Sequence, residues 1–370
     1  MTAVKIKKED LKSILESLRG SYRIIGPKIK NNVITFDQID GDDIPIGYRD
    51  SQGQGYYRLN RVNENKIFSF SNGPDSFKRF LTPPSLEMFR FKRDKKSLTL
   101  TPLIPVIPEE KPFAFLGIRA CDLSAMRLYD KIFIEGIEKD NYYYTIRKNS
   151  LIIAVNCLYP GDNCFCHSIG TGPELKENFD IALTELDEYL ILEAVTQSGR
   201  KFLEGLSSER LIDDDLKEKN YKLEMCKRMF KKSIRFNELP WLIYRSLEHP
   251  RWQEIAKKDL SCGNCTQVCP TCFCSSTYDM LQLSDINQRS FRISGLRIRT
   301  WDSCFSRNFA RVHGGNFRPS VKARYRQWMS HKLAYMMEQF GLPGCVGCGR
   351  CITWCPVGID ITKELEALRL

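Results

Sequence analysis

Seven cysteines near the C-terminal end of this 370-residue chain fall into two spaced runs. The more complete run is Cys345-Val-Gly-Cys348-Gly-Arg-Cys351-Ile-Thr-Trp-Cys355-Pro356. Three thiolates at this spacing wrap one iron–sulfur cubane, and a fourth, set off by three residues before a proline, points to a second cubane. Pro356 has no backbone N–H and helps turn the chain out of the loop. The remaining amides can donate to the sulfurs and tune the potential. Zinc or structural thiols are the competing readings, and four cysteines at these spacings followed by proline select the cluster.

The upstream run is Asp259-Leu-Ser-Cys262-Gly-Asn-Cys265-Thr-Gln-Val-Cys269-Pro270. Aligned on Pro270, its first position is an aspartate. The crossed pattern assigns Cys345, Cys348, Cys351 and Cys269 to one [4Fe–4S] cluster. It assigns Cys262, Cys265 and Cys355 to the other, which lacks its usual fourth thiolate. Asp259 could ligate through oxygen, a thiol from Cys272, Cys274 or Cys304 could substitute, or the cluster could be three-iron or hold an open iron. Carboxylate is a harder ligand than thiolate, so an Asp-held iron should be more labile. Otherwise Cys272, Cys274 and Cys304 read as buried structural thiols, and His331 as a packing residue.

A second set lies in the N-terminal half. Phe113–Ala120 reads as a strand running into Cys121, and Leu151–Asn156 as a strand running into Cys157. If these strands are parallel neighbours, both thiols sit at one sheet edge, where α/β folds place their sites. Cys164 and Cys166 follow on a glycine-containing loop. Cys121, Cys157, Cys164 and Cys166 are therefore candidates for a third [4Fe–4S] cluster. Core thiols, or a zinc site with His167, are the alternatives. Cys226 lies in a basic helical stretch and reads as incidental.

The elements that must position these groups divide in two. Residues 1–236 alternate helical and strand patterns and are expected to form an α/β domain. An amphipathic helix is expected over Lys5–Leu18, with Leu11, Ile14, Leu15 and Leu18 on one face. Strands are expected at Tyr22–Ile25, Val33–Phe36, Phe179–Leu183 and Tyr189–Val195, and a helix from Asp122. Residues Gly41–Asn65 read as loops and turns. Residues 237–370 are expected to be an α-helical ferredoxin-like dicluster domain, making the chain α+β overall. Cys345 lies 76 positions after Cys269 (345 − 269), too long a link for a small ferredoxin. The stretch between the runs reads mostly as helix.

Composition narrows the function. The net charge is +11, but the basic residues are spread and lack the interleaved aromatics of a nucleic-acid surface, so no nucleic-acid partner is expected. No apolar run suggests a transmembrane segment, and no signal-peptide stretch is recognised at the N-terminus. A cytoplasmic location follows as the expectation, where clustered cysteines hold metal more often than they pair. Only four histidines occur, at 167, 249, 313 and 331. No catalytic acid, base or nucleophile stands out. Gly170-Thr-Gly-Pro173 is too short for a dinucleotide fingerprint.

The chain resembles the beta subunit of cytoplasmic NiFe sulfhydrogenases and is similar to the iron–sulfur subunit of anaerobic sulfite reductase. The residues that carry this are Cys262-Gly-Asn-Cys-Thr-Gln-Val-Cys-Pro-Thr-Cys-Phe-Cys274, Trp301-Asp-Ser-Cys-Phe305, Arg324-Tyr-Arg-Gln-Trp328, His331-Lys-Leu333 and Gly344-Cys-Val-Gly-Cys-Gly-Arg-Cys351. Gly26-Pro27-Lys28, Lys78-Arg-Phe-Leu-Thr-Pro-Pro84, Gly117-Ile-Arg-Ala-Cys-Asp122 and Cys164-Phe-Cys-His-Ser-Ile-Gly-Thr-Gly-Pro173 extend it towards the N-terminus. The family usually has Cys where this chain has Asp259. The resemblance implies an electron-transfer subunit between a flavoprotein that binds NAD(P)H and a catalytic hydrogenase or reductase subunit. A flavin- or deazaflavin-dependent oxidoreductase subunit with its own ferredoxin domain is the alternative.

Overall fold

The runs Phe113–Ile118 and Leu151–Val155 are apolar at nearly every position, the pattern of parallel strands covered on both faces. In the computed structural model, which describes residues 2–93, 100–103, 111–281 and 293–370, they are parallel neighbours at the centre of an eight-stranded sheet. From edge to edge the order is Glu209–Arg210, Thr2–Lys7, Tyr189–Ala194, Ile181–Glu185, Leu151–Val155, Phe113–Ile118, Arg23–Lys30 and Val33–Gln38. The four strands from Ile181–Glu185 to Arg23–Lys30 are parallel and the outer pairings are antiparallel.

Alternation along each strand splits the core in two. Ile24, Ala114, Leu116, Ile153 and Val155 pack with the helix Leu11–Arg19, whereas Ile25, Phe115, Ile152 and Ala154 pack with the helix Ala120–Phe133. Gly117 has φ +85°, and the register with Leu151–Val155 slips between Leu116 and Ile118. This bulge turns the strand into Arg119, whose guanidinium donates to the Phe68 and Phe70 carbonyls at 2.9 and 3.0 Å. Cys121 is thereby held in the first turn of the following helix.

Three local expectations need correction. The first helix starts at Leu11. Thr2–Lys7 instead pairs with Tyr189–Ala194, because Val4 and Ile6 alternate inward. The polar segment expected to be loop contains the hairpin Tyr48–Gly53 and Tyr56–Arg61. Its polar composition hides a strand pair whose work is docking: the Gly55 N–H donates to the Ile352 carbonyl at 3.0 Å. A Cβ on Gly55 would stand 2.6 Å from the Cys355 carbonyl, so the tip meets the second cysteine run backbone to backbone. Third, the stretch between the cysteine runs begins with strands, Ser275–Leu281 and Ile293–Trp301. Together with Ser85–Arg93 and Leu100–Leu103 they form a four-stranded antiparallel sheet.

Apart from a short hairpin, Arg311–Val312 with Gly315–Asn316, the rest of the C-terminal half is helical. Leu239–Arg245, Arg251–Lys258, Val321–Ser330 and Met336–Phe340 surround a third core of Leu242, Trp252, Tyr325, Trp328 and Leu333, against which Cys265, Cys304, Cys351 and Cys355 pack. A wide π-helical turn, His331–Tyr335, interrupts the path from Val321 to Phe340. Among the described residues no helix is long and apolar enough to cross a membrane.

Candidate metal centres

Each cysteine run is a loop followed by a single helical turn. Gly263 (φ +74°) enters Asn264–Gln267, and Gly349 (φ +75°) enters Arg350–Thr353. At Gly349 a side chain would also strike Asn163, a Cβ falling 2.7 Å from its carbonyl. The glycines let each loop fold back tightly so that its thiols point inward.

The first centre gathers Cys269, Cys345, Cys348 and Cys351. Cys269 and Cys345 are 8% and 7% exposed. Burial pushes the Cys345 thiol up to about 12, and Cys269 and Cys348 push the same way. Cys351 is driven up by burial and then by Cys345, Cys348 and Cys269. Cys345, Cys348 and Cys351 are all raised, whereas Cys269 is lowered by its contacts with Cys272, Lys332 and Thr271. Thiols this close ionise together only with cationic charge among them, which is what iron supplies. The chain adds its own cation. Lys332, 3% exposed on the π-helical turn, places Nζ 3.1 Å from Cys269 Sγ and donates to Thr271 Oγ1 and the Gly344 carbonyl at 3.0 and 3.1 Å.

The second centre is a cavity lined by Asp259, Cys262, Cys265 and Cys355, with Cys351 on one wall and Phe305, Tyr325, Trp328, Val357, Ile359 and Ile361 around it. The Ile359 N–H donates to Cys355 Sγ at 3.3 Å. Asp259 Oδ1 accepts from the Ser261 N–H at 2.8 Å, whereas Oδ2 is buried without a partner. Burial raises this carboxyl above its ordinary value. An orphaned carboxylate oxygen beside three thiols fits a ligand that the cavity is built to receive. Cys272, Cys274 and Cys304, weighed as substitutes for the missing thiolate, do not line this cavity. Cys262 is exposed, so the centre reaches the surface.

The N-terminal thiols also meet. Cys121 and Cys157 follow adjacent parallel strands, and Cys166 neighbours Cys121 on one side and Cys157 on the other. Cys164 lies beside Cys166 and Cys157, and its Sγ is 3.6 Å from the Cys348 carbonyl. Asn72 Nδ2 donates to Cys121 Sγ at 3.4 Å. Cys226, read as incidental, is fully buried and its side chain lies beside that of Cys157. That neighbour, ahead of the opposing effect of burial, lowers the Cys157 thiol to about 6. No sequence signal links residue 226 to 157; the helix Asp213–Arg228 brings it there. His167 is exposed and lies against Phe230, with ring centroids 5.7 Å apart.

Among the described residues no three metal-ligating side chains close on a single point as around one ion. A cubane has a different requirement, since each thiolate binds its own iron at a separate corner.

A buried ion pair locks the first and N-terminal centres together. Arg350, between Cys348 and Cys351, donates from Nη1 and Nη2 to both carboxylate oxygens of Asp122 at 2.7 and 3.0 Å, and from Nε to the Gly73 carbonyl at 2.8 Å. Arg350 and Asp122 are 2% and 4% exposed. Phe165 N–H and Thr171 Oγ1 donate to the Gly347 and Val346 carbonyls at 2.8 and 2.9 Å, joining the Cys164–Cys166 loop to the second cysteine run.

Residues 258–359 match the family described as the 4Fe-4S dicluster domain. The chain is 28% identical over 375 residues to the sulfhydrogenase 2 subunit beta of Pyrococcus furiosus, a match covering all of this chain and 99% of that protein. No solved structure matches the chain. The full-length likeness supports the resemblance read from the cysteine runs. The dicluster match assigns [4Fe–4S] clusters to the C-terminal half, the equipment of iron–sulfur electron transfer.

Proposed function

We propose that this chain is the electron-relay subunit of a cytoplasmic multi-subunit oxidoreductase. It would pass electrons between a flavoprotein that binds NAD(P)H and a catalytic subunit of NiFe hydrogenase or sulfur- or sulfite-reductase type. Cys269, Cys345, Cys348 and Cys351 hold one [4Fe–4S] cluster, and Cys262, Cys265, Cys355 and Asp259 the other. Cys121, Cys157, Cys164 and Cys166 hold a third. Residues 1–236 and 237–370 are the two functional units, one carrying the third cluster and the other the pair. Bound there, the clusters supply one-electron redox chemistry.

The observation that supports this reading is the unbroken series of thiols. It runs from Cys121 and Cys157 past Cys164, beside the Cys348 carbonyl, to Cys351 on the wall of the second cavity, and out to the exposed Cys262. The protein's own groups hold and insulate that path. Phe305, Tyr325 and Trp328 form the apolar wall of the second cavity, Lys332 balances anionic charge at Cys269, and Arg350 ties the loops in place.

Iron and acid-labile sulfide analysis with EPR on the anaerobically purified chain tests the assignment. About twelve irons are expected for three cubanes, and about eight would return the N-terminal thiols to a structural role. Mild oxidation should release one iron from the second centre and produce a three-iron signal that Asp259→Cys abolishes. A three-iron signal that persists in that variant would overturn Asp259 as the labile ligand.

A further inference from the structure

Of the fifteen cysteines only Cys262 is exposed. It closes a short segment, 257–262, that leaves the helix Arg251–Lys258 and lines the second cavity from Asp259 onward. Leu260, on the same wall, is 62% exposed. Pro356, from the other cysteine run, is also exposed on that cavity.

A strained turn holds this arrangement. Ser261 has φ +51°, a left-handed conformation uncommon for a residue with a side chain. Asp259 Oδ1 accepts from the Ser261 N–H at 2.8 Å, and buried Arg324 donates from Nη2 to Ser261 Oγ at 3.2 Å. Strain of this kind persists only where the surroundings over-determine it, and it gathers at functional sites. A lone exposed leucine needs no explanation in general. Here the turn keeps it in solvent beside the one thiol that reaches the surface, so the position is held rather than incidental.

The charge around it is one-sided. Lys257 and Lys258 are exposed in the last turn of the helix. Lys258 Nζ donates to the Gly358 carbonyl at 3.3 Å, which sets its charge beside the loop of Pro356. Among the described residues neither lysine pairs with a carboxylate. Glu254, one turn back, is taken by Arg251 at 2.8 Å, and Arg251 also holds Glu364. The lip therefore joins an apolar knob, an exposed thiol of a redox centre and two uncompensated positive charges.

We propose that the segment 257–262, with Pro356, is the port at which this chain meets an electron-transfer partner, and that the partner is an acidic protein whose one-electron group, a flavin or an iron–sulfur cluster, lies near its own surface. The inference rests on the relay reading above. Leu260 is the apolar anchor, and Lys257 and Lys258 form the rim that steers an acidic surface onto it. Weak electron-transfer encounters use small interfaces, below about 1,200 Å² in total, so one anchor with a charged rim suffices. One electron passes between the centre held by Cys262 and the partner's group, and no bond forms or breaks in this chain.

The test uses the iron-loaded full chain, reduced with dithionite and freed of excess reductant, with oxidised flavodoxin as the acidic probe and ferricytochrome c as a basic one. Stopped-flow absorbance gives each second-order rate, compared per reduced cluster after iron analysis of every variant. Transfer to flavodoxin should slow as salt is added, and transfer to cytochrome c should not. Lys257→Glu with Lys258→Glu should slow transfer to flavodoxin about tenfold. Leu260→Ser should slow it severalfold without altering its salt dependence. The same two reversals at exposed Lys201 and Lys217 should do much less. Carbodiimide coupling of the wild-type chain to flavodoxin, read by mass spectrometry, should link Lys257 or Lys258 to flavodoxin carboxylates, and this arm needs no variant. Equal losses from the two reversed pairs, or cross-links confined to other lysines, overturn the port and leave the relay standing. Reduced clusters seen by EPR that pass no electron to either probe overturn the relay reading with it. A dimer in sedimentation that Leu260→Ser dissociates would make the lip a contact between copies of this chain, and would also overturn the port.

Discussion

Lys332 offers the sharpest test of how this protein tunes its centres. Its ammonium is buried and lies 3.1 Å from Cys269 Sγ. Desolvation alone would lower its pKa, but Cys269, Cys272 and Cys345 outweigh it and hold the group charged. At 3.1 Å and an effective dielectric of about 20, a full charge on that sulfur interacts with the ammonium by about 5 kcal/mol. An electron added to a cluster is spread over its irons and sulfurs. If about a quarter of its charge is felt at the Cys269 corner, the reduced form gains about 1.3 kcal/mol, roughly tenfold, or about 60 mV for a one-electron couple. Lys332→Met should therefore lower the midpoint of the cluster held by Cys269, Cys345, Cys348 and Cys351 by about 60 mV. Lys332→Arg, which keeps the charge, should move it much less. The cluster of Cys262, Cys265 and Cys355 should shift less than its neighbour in both variants. EPR-monitored potentiometric titration reads each midpoint. An unchanged or raised midpoint in Lys332→Met would refute the electrostatic argument. An equal drop in Lys332→Arg would assign the effect to packing.

A further prediction concerns the buried ion pair between Arg350 and Asp122. Arg350→Met strands the Asp122 carboxylate in the interior and should cost about 3–5 kcal/mol of stability, read as a lower thermal midpoint. Adding Asp122→Leu should restore much of that loss, and no recovery would sink the view that the stranded charge is the cause.

Much of this was legible because metal chemistry leaves strict spacing in a sequence. The two cysteine runs identify themselves, and Asp259 shows as a departure at one position. The parallel strands before Cys121 and Cys157 are equally plain, because strands covered on both faces must be apolar throughout. The hairpin Tyr48–Gly53 and Tyr56–Arg61 was not legible. Its residues are polar, and its strand pair is recognisable only where Gly55 meets Ile352. The strands Ser275–Leu281 and Ile293–Trp301 escape a local reading for a related reason. Ile293–Trp301 pairs with Ser85–Arg93, two hundred residues back in the chain (293 − 93), and no local pattern announces that partner.

The sequence by itself determined that two spaced cysteine runs stand in the C-terminal half and which residues are candidates to hold iron, because ligand spacing is a local property of one loop. Tertiary structure decided everything that joins separate loops. It set Asp259 Oδ2 without a partner in the cavity of Cys262, Cys265 and Cys355. It buried Cys226 beside Cys157 and set Cys274 and Cys304 on the wall of one cavity. It carried Lys332 to Cys269 across 63 positions and Arg350 to Asp122 across 228. Such pairings depend on how sheets and helices pack, and a charge or thiol has no local signature of the partner that packing will give it.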